Sequence, residues 1–190
     1  MANGADLMEQ KPEGYPTATY GGGCFWCLES EFRAMDGVLF TAVGYMGGDL
    51  ENPTYRDITT GKTGHAEVVE VTFDPDKISF ETLTEFFLRE AHDPTQLNRQ
   101  GVDVGTQYRS EIFYHDESQK DDAQAVVDRL NSGDFGGNIV TKLSKAQTFW
   151  MGEDYHQQYY EKYEEQTGKP HLRVILKQKK KALKNAVGLD

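Results

Sequence analysis

The clearest alternation in the chain runs from His65 to Phe73. His65, Glu67, Val69, Val71 and Phe73 fall on one face, and Ala66, Val68, Glu70 and Thr72 on the other. This is the two-residue repeat of a β-strand, which Asp74-Pro75 then ends. Thr17 to Gly22 and Val38 to Tyr45 are shorter runs rich in β-branched and aromatic residues and predict two more strands, the second closing at Gly47-Gly48. Between them, Phe25 to Met35 lacks Gly and Pro and repeats Leu28, Phe32 and Met35 at helical spacing. Ser79 caps a second helix with Phe80, Leu83, Phe87 and Ala91 along one side. Tyr108 to Tyr114 predicts a strand with Tyr108, Ser110, Ile112 and Tyr114 on one face. Ala123, Val126, Val127 and Leu130 mark an amphipathic helix, and Ile139 to Leu143 a further strand. A last helix is expected from about Asp154 to Glu165, with Tyr155, Tyr159 and Tyr163 on one stripe.

Through Tyr114 the order is β-α-β-β-α-β, the split pattern of a two-layer ferredoxin-like α+β fold. A mostly antiparallel sheet with helices on one face and a C-terminal helical extension is therefore expected. A chain of 190 residues suggests one domain with a real core. Residues 1–16 read as a flexible N-terminal arm, 17–176 as the domain, and 177–190 as a solvated basic tail carrying Lys177, Lys179, Lys180, Lys181 and Lys184. The loop from Asp49 to Thr63 is dense in Gly, Pro, Asn and Thr, and long loops of this kind are often functional.

The formal net charge of −11 argues against a general affinity for nucleic acid. No apolar run approaches the length of a membrane span. Met1 to Tyr15 lacks the basic and apolar regions of a signal peptide, so a cytoplasmic location is expected. Nothing in the sequence demands more than a monomer.

The candidate chemistry begins at Gly23-Cys24-Phe25-Trp26-Cys27, which holds both cysteines of the chain. Gly21, Gly22 and Gly23 allow a tight turn and close approach to a ligand. Cys24 then falls at a helix N-terminus, where orphan N–H groups and the macrodipole favour a thiolate. Cys27, one turn on, is close enough to attack Cys24 if that sulfur is oxidised, or is an inert core residue. A zinc site would need about four ligands. One C-x-x-C without a second pair, and histidines scattered at 65, 92, 115, 156 and 171, do not supply them. The pair points instead to redox chemistry in a reducing compartment.

Other residues stand out against their surroundings. Glu67 shares a face with Val69, Val71 and Phe73, so it either escapes to water or sits in a poorly solvated pocket, protonated near neutral pH and able to donate. His65 lies on the same face as a partner for Glu67 or as a structural histidine. Tyr108 points inward with Ile112, as core or as a donor. Tyr55, in the Asp49–Thr63 loop, offers a neutral hydroxyl. Asp103, in Gly101-Val102-Asp103-Val104-Gly105, orients a neighbouring donor or forms a turn. Phe25 and Trp26 beside the thiol would take an apolar group. A nucleophilic thiol, an acid and neutral hydroxyls together suit a polarised oxygen on an electrophilic atom. A thiol–disulfide oxidoreductase and a non-catalytic module that binds peptides through its aromatics remain as alternatives at this point.

The chain resembles the A-type peptide methionine sulfoxide reductases. The resemblance is carried by Gly23-Cys24-Phe25-Trp26, Gly44-Tyr45 with Gly47-Gly48, Asn52-Pro53-Thr54-Tyr55 and Gly64-His65-Ala66-Glu67. It continues in His92-Asp93-Pro94, Gly105-Thr106-Gln107-Tyr108-Arg109-Ser110 and Asp154-Tyr155-His156-Gln157-Gln158-Tyr159. What it implies is one catalytic reductase domain acting on the S epimer of methionine sulfoxide, free or in proteins, as repair after oxidative damage. Cys24 would attack the sulfoxide sulfur, Glu67, Tyr55 and Tyr108 would bind its oxygen, and Glu67 would supply the proton. Phe25 and Trp26 would hold the methyl group, with Asp103 and His65 supporting the substrate. No metal or organic cofactor is implied; the reductant is external, thioredoxin or another dithiol. Many members resolve the sulfenic acid with cysteines near the C-terminus, which this chain lacks, and Cys27 is the internal candidate for a Cys24–Cys27 disulfide.

Overall fold

A computed structural model describes residues 7–175 of the chain. The expected basic tail, and residues 1–6 of the expected arm, lie outside them. In chain order the elements are β1 (Thr17–Gly21), α1 (Phe25–Arg33), β2 (Val38–Met46), α2 (Tyr55–Ile58), β3 (Ala66–Phe73) and α3 (Phe80–Phe86). There follow β4 (Arg99–Gln100), β5 (Asp103–Val104), β6 (Glu111–Tyr114), α4 (Glu117–Ser132), β7 (Lys142–Lys145), β8 (Trp150–Met151) and α5 (Tyr159–Thr167).

Six strands form one sheet in the order β7-β6-β1-β3-β2-β8, and β4 and β5 form a separate hairpin. Every pairing in the large sheet is antiparallel except β6 with β7. The protein is thus α+β with a mostly antiparallel sheet. The strongest alternation in the sequence is its centre: β3 lies between β1 and β2, and all eight of its residues are buried. Burial on both faces requires a cover on both. On one face Val69, Val71 and Phe73 join Tyr20, Val43 and Ile112 against Leu28 and Phe32 of α1, Leu83 of α3, and Val126 and Leu130 of α4. On the other, Ala66, Val68, Met46 and Phe113 pack with Ala146 and Phe149, while Phe40 and Ala42 pack with Leu7, Met8 and Met151.

The helices were expected on one face, and the described part of the N-terminal arm contributes to covering the second. Leu7 is buried there, and Lys11 Nζ meets the buried Glu70 carboxylate at 2.6 Å. An acidic side chain on an inward face needs such a partner.

The strand expected over Ile139–Leu143 instead spans Lys142–Lys145, where it pairs with β6. Two other predicted boundaries moved, each for a backbone reason. Tyr108 does not open a strand. It ends a 3₁₀ turn, Thr106–Tyr108, entered through Gly105 at φ +146°. The Tyr108 N–H bonds Gly105 O at 3.0 Å, and strand pairing starts only at Glu111. The last helix begins at Tyr159, not near Asp154. Gln157 is buried, and its amide accepts from the Val43 N–H at 2.8 Å and donates to the Val43 and Gly152 carbonyls at 2.8 Å. Gln158 then turns left-handed at φ +51° before the helix starts.

Candidate active site

Cys24 is the N-cap of α1, with its carbonyl accepting from the N–H groups of Cys27 at 3.0 Å and Leu28 at 3.3 Å. The glycines before it are required by space. A Cβ on Gly22 would come within 2.8 Å of the Phe87 ring, and one on Gly23, at φ +100°, within 2.7 Å of Gln100. The Cys24 side chain caps no backbone group of its helix and instead lines a cleft of ≈ 90 Å³. A cleft of that size lies below the range of drug-sized ligand sites and admits only a small group. Phe25, Trp26, Tyr55, Glu67, Asp103, Tyr108 and Arg173 line the rest of it.

The fold therefore brings together residues from α1, the long loop, β3, the β4–β5 hairpin and the turn before β6. Cys27 is not in the cleft wall; its Sγ lies behind, 3.2 Å from the Tyr160 hydroxyl. Both cysteines are thiols. His65, expected to support the substrate, is instead buried behind the loop. Its Nδ1 accepts from the Gly48 N–H at 3.1 Å, and its Nε2 meets the Leu50 carbonyl at 2.8 Å. A carbonyl only accepts, so Nε2 carries the proton, and the ring is spent on holding the loop's start. Arg173 lies over the cleft with Nη1 3.5 Å from Asp103 Oδ2.

Burial sets the protonation states. It pushes the Glu67 carboxyl up to about 8, against the lowering effect of the Phe25 N–H that bonds Oε2 at 3.2 Å. Glu67 is therefore an acid at neutral pH. Burial and the Glu67 charge push Tyr55 and Tyr108 up as well, so both remain hydroxyl donors. The Cys24 thiol departs from the expectation drawn from its helix end. Its hydrogen bond with Cys27, its burial, and the charges of Cys27 and Glu67 hold it well above the ordinary thiol range. A helix terminus acts in the opposite direction, contributing about 0.3–2 kcal/mol toward the anion. The resting site is a neutral one, with thiol, carboxyl and phenols all protonated.

Residues behind the cleft shape the aromatic wall. The Trp26 ring stacks on Tyr159 at 3.9 Å and 9°, and its indole N–H donates to His156 Nδ1 at 3.0 Å. His156 is fully buried, which lowers its pKa to about 4, so it stays neutral and able to accept. Its ring also packs against Phe25 at 5.0 Å and Tyr55 at 4.6 Å. Glu153 accepts from the Tyr55 N–H at 2.8 Å and the Tyr45 hydroxyl at 2.7 Å, fixing where the loop tyrosine stands. Buried Glu29 of α1 accepts from the Gln158 N–H at 2.7 Å, joining α1 to the turn that carries His156. The motif Asp154–Tyr159 announced this segment, but no periodicity pointed to Arg173. Among the described residues no group of three or more His, Cys, Asp or Glu side chains is placed to hold a metal ion.

A thiol facing an un-ionised carboxyl and two neutral phenols, with an aromatic wall beside it, defines a thiol-dependent oxidoreductase. The family model "Peptide methionine sulfoxide reductase" matches residues 16–187. The peptide methionine sulfoxide reductase MsrA of Methanothermobacter thermautotrophicus is 58% identical over 149 residues, covering 78% of this chain and 88% of that protein. The solved methionine sulfoxide reductase A of Corynebacterium diphtheriae superposes with a TM-score of 0.73 at 40% identity, covering 80% of this chain and 77% of that one. Reduced Mxr1 from Saccharomyces cerevisiae gives 0.75 at 32% identity, covering 80% and 87%. The chain belongs to the peptide methionine sulfoxide reductase family.

Proposed function

We propose that this reductase takes the S epimer of methionine sulfoxide, with the methyl group against Phe25 and Trp26 and the oxygen toward Glu67, Tyr55 and Tyr108. The observation that carries this reading is the meeting of Cys24 with those three donors and two aromatics in one cleft. Hydrogen bonds from the phenols and the acid polarise the S–O bond and make the sulfur electrophilic. As Cys24 Sγ bonds to that sulfur, Glu67 gives its proton to the oxygen and takes up the proton that the Cys24 thiol loses. Methionine leaves with two electrons gained, and the oxygen remains on Cys24 as a sulfenic acid. Asp103, with Arg173 over it, supports the polar rim.

Cys27 resolves the sulfenic acid. Its sulfur bonds to Cys24, the S–O bond breaks, and the hydroxyl leaves as water with the Cys27 proton. Cys24 has extended ψ of 117°, so it stands outside the regular helix and has room to turn toward Cys27. A thioredoxin-like partner, or a small dithiol, reopens the disulfide by exchange. No metal or organic cofactor takes part. The catalytic unit is a single domain over 17–176, monomeric and cytoplasmic. We read its inner strands as ferredoxin-like, a reading supported by the order β6-β1-β3-β2 with three antiparallel pairings.

The test is single-turnover reduction of the two separated epimers by prereduced wild type and Cys27→Ser. Methionine is expected from the S epimer alone, with two thiols lost in wild type and a sulfenic acid retained in the variant. Absence of methionine from both epimers would overturn the reading. Full thioredoxin-dependent turnover by Cys27→Ser would overturn the resolving role.

A further inference from the structure

Behind the cleft, the Tyr160 hydroxyl lies 3.2 Å from Cys27 Sγ. This contact plays no part in the sulfoxide step, because neither group lines the cleft. It is nonetheless firmly built. Tyr160 is 5% exposed and its ring stacks on His171 at 4.9 Å and 29°. On its other side it meets the edge of Tyr159 at 5.7 Å, and Tyr159 is the ring stacked on Trp26. A phenol so packed has few other places to put its hydroxyl. Burial, together with the neighbouring Cys27, pushes the ionisation of Tyr160 upward. Either group can donate in the resting contact, but once Cys27 has lost its proton the phenol is the donor.

We propose that Tyr160 is the positioning residue of the resolving step: its O–H holds Cys27 Sγ in place and stabilises the thiolate that attacks the Cys24 sulfenic acid. The proposal rests on Cys27 as the resolving cysteine. Among the described residues, the groups that act on the Cys27 sulfur include Cys24 at the start of the same helix, Glu67 from β3, Tyr160 from α5 and Arg173 from the segment after α5. Tyr160 offers it a hydrogen bond from a fixed, neutral O–H. In the step itself the S–S bond forms and the S–O bond breaks. The Cys27 sulfur is oxidised and the Cys24 sulfur reduced, and water carries off the hydroxyl and the Cys27 proton. Tyr160 keeps its own proton throughout, so its effect is on the thiolate population and not on stoichiometry.

The test uses Tyr160→Phe, which retains the ring and its stack on His171. Sulfenic acid loss after one turnover is followed by quench and intact mass from pH 6 to 9, in wild type, Tyr160→Phe and Cys27→Ser. The amount of methionine in the first turnover reports that each variant is folded. Tyr160→Phe is expected to lose its sulfenic acid about tenfold more slowly at pH 7, the size of one charge-assisted hydrogen bond, and to approach wild type at high pH. A wild-type rate and pH profile in Tyr160→Phe, with persistent sulfenic acid in Cys27→Ser, would overturn the role of Tyr160 alone. Rapid loss in Cys27→Ser would overturn the resolving reading and this proposal with it. As a measurement independent of turnover, the pH dependence of Cys27 alkylation is compared in Cys24→Ser and Cys24→Ser/Tyr160→Phe. The midpoint is expected to move up by about one unit in the double variant, and equal midpoints would overturn the proposal.

Discussion

The Phe25 backbone N–H donates to Glu67 Oε2 at 3.2 Å, tying the first residue of α1 to the carboxyl of the central strand. Phe25 directly follows Cys24, so this bond sets the acid beside the nucleophile. Burial then keeps the proton on the carboxyl. Glu67→Gln retains the shape and a donor but has no transferable proton. It is expected to slow methionine formation in the first turnover by about 10²–10⁴-fold while leaving the far-ultraviolet circular dichroism unchanged. A loss of less than about threefold would remove Glu67 as the acid.

The same substitution carries a pH signature in stability. The folded chain holds the Glu67 proton to about 8, while an unfolded glutamate releases it near 4.3. Between those values the folded state binds more protons than the unfolded state, so the Glu67 contribution to stability is lost as pH rises through that window. Gln has no proton to lose. The stability of Glu67→Gln relative to wild type is expected to rise from pH 4 to pH 8 and then level, by up to a few kcal/mol, in denaturant unfolding. A difference that does not change with pH would show that Glu67 titrates normally.

Tyr55 and Tyr108 reach the cleft from different segments and remain neutral donors. Each of Tyr55→Phe and Tyr108→Phe is expected to reduce kcat/KM by about 10-fold, the loss of one hydrogen bond to a developing charge. The double variant should lose more than either alone. Steady-state kinetics on free methionine sulfoxide and on an oxidised peptide checks this, and a double variant no worse than the singles would show that only one phenol reaches the oxygen.

Trp26 is held by the Tyr159 stack and by its bond to His156. His156→Ala leaves the buried indole N–H without its acceptor and removes the ring between Phe25 and Tyr55. An expected rise in KM of about tenfold or more, with Cys24 alkylation unaltered, would locate the effect in the methyl-binding wall.

Gln157 satisfies both backbone groups of Val43 in the sheet. Gln157→Ala strands a buried N–H and frees the turn that carries His156, at a cost of about 1–3 kcal/mol. Thermal unfolding is expected to show a lower Tm, and activity should fall with it because the His156 turn loses its anchor.

Much of this could be read along the chain. Val69, Val71 and Phe73 alternate because β3 is central, and the run from Leu28 to Phe32 repeats at helical spacing because α1 buries one side. Cys24 at the helix start and the misplaced Glu67 were visible because each violates its local pattern. Tyr108 was misassigned to a strand because the β-rich run conceals a Gly105 turn that only the backbone hydrogen bonds reveal. His65 looked like a site residue for its place beside Glu67, yet its ring is used up on Gly48 and Leu50.

Sequence by itself determined the order of the principal strands and helices, though not α2, the β4–β5 hairpin or β8, and the acidic character, and it pointed to the thiol, acid and phenols, since periodicity and residue type are local properties. Tertiary structure alone decided the protonation of the site, the closing of the second sheet face by Leu7 and Phe149, and the contacts of Trp26 with His156 and Tyr159. It alone placed Tyr160 on Cys27 and Arg173 over Asp103. Those contacts join positions more than 100 residues apart in several cases, and the pKa values depend on burial. Both follow from which surfaces pack together, and no short window of the chain contains that information.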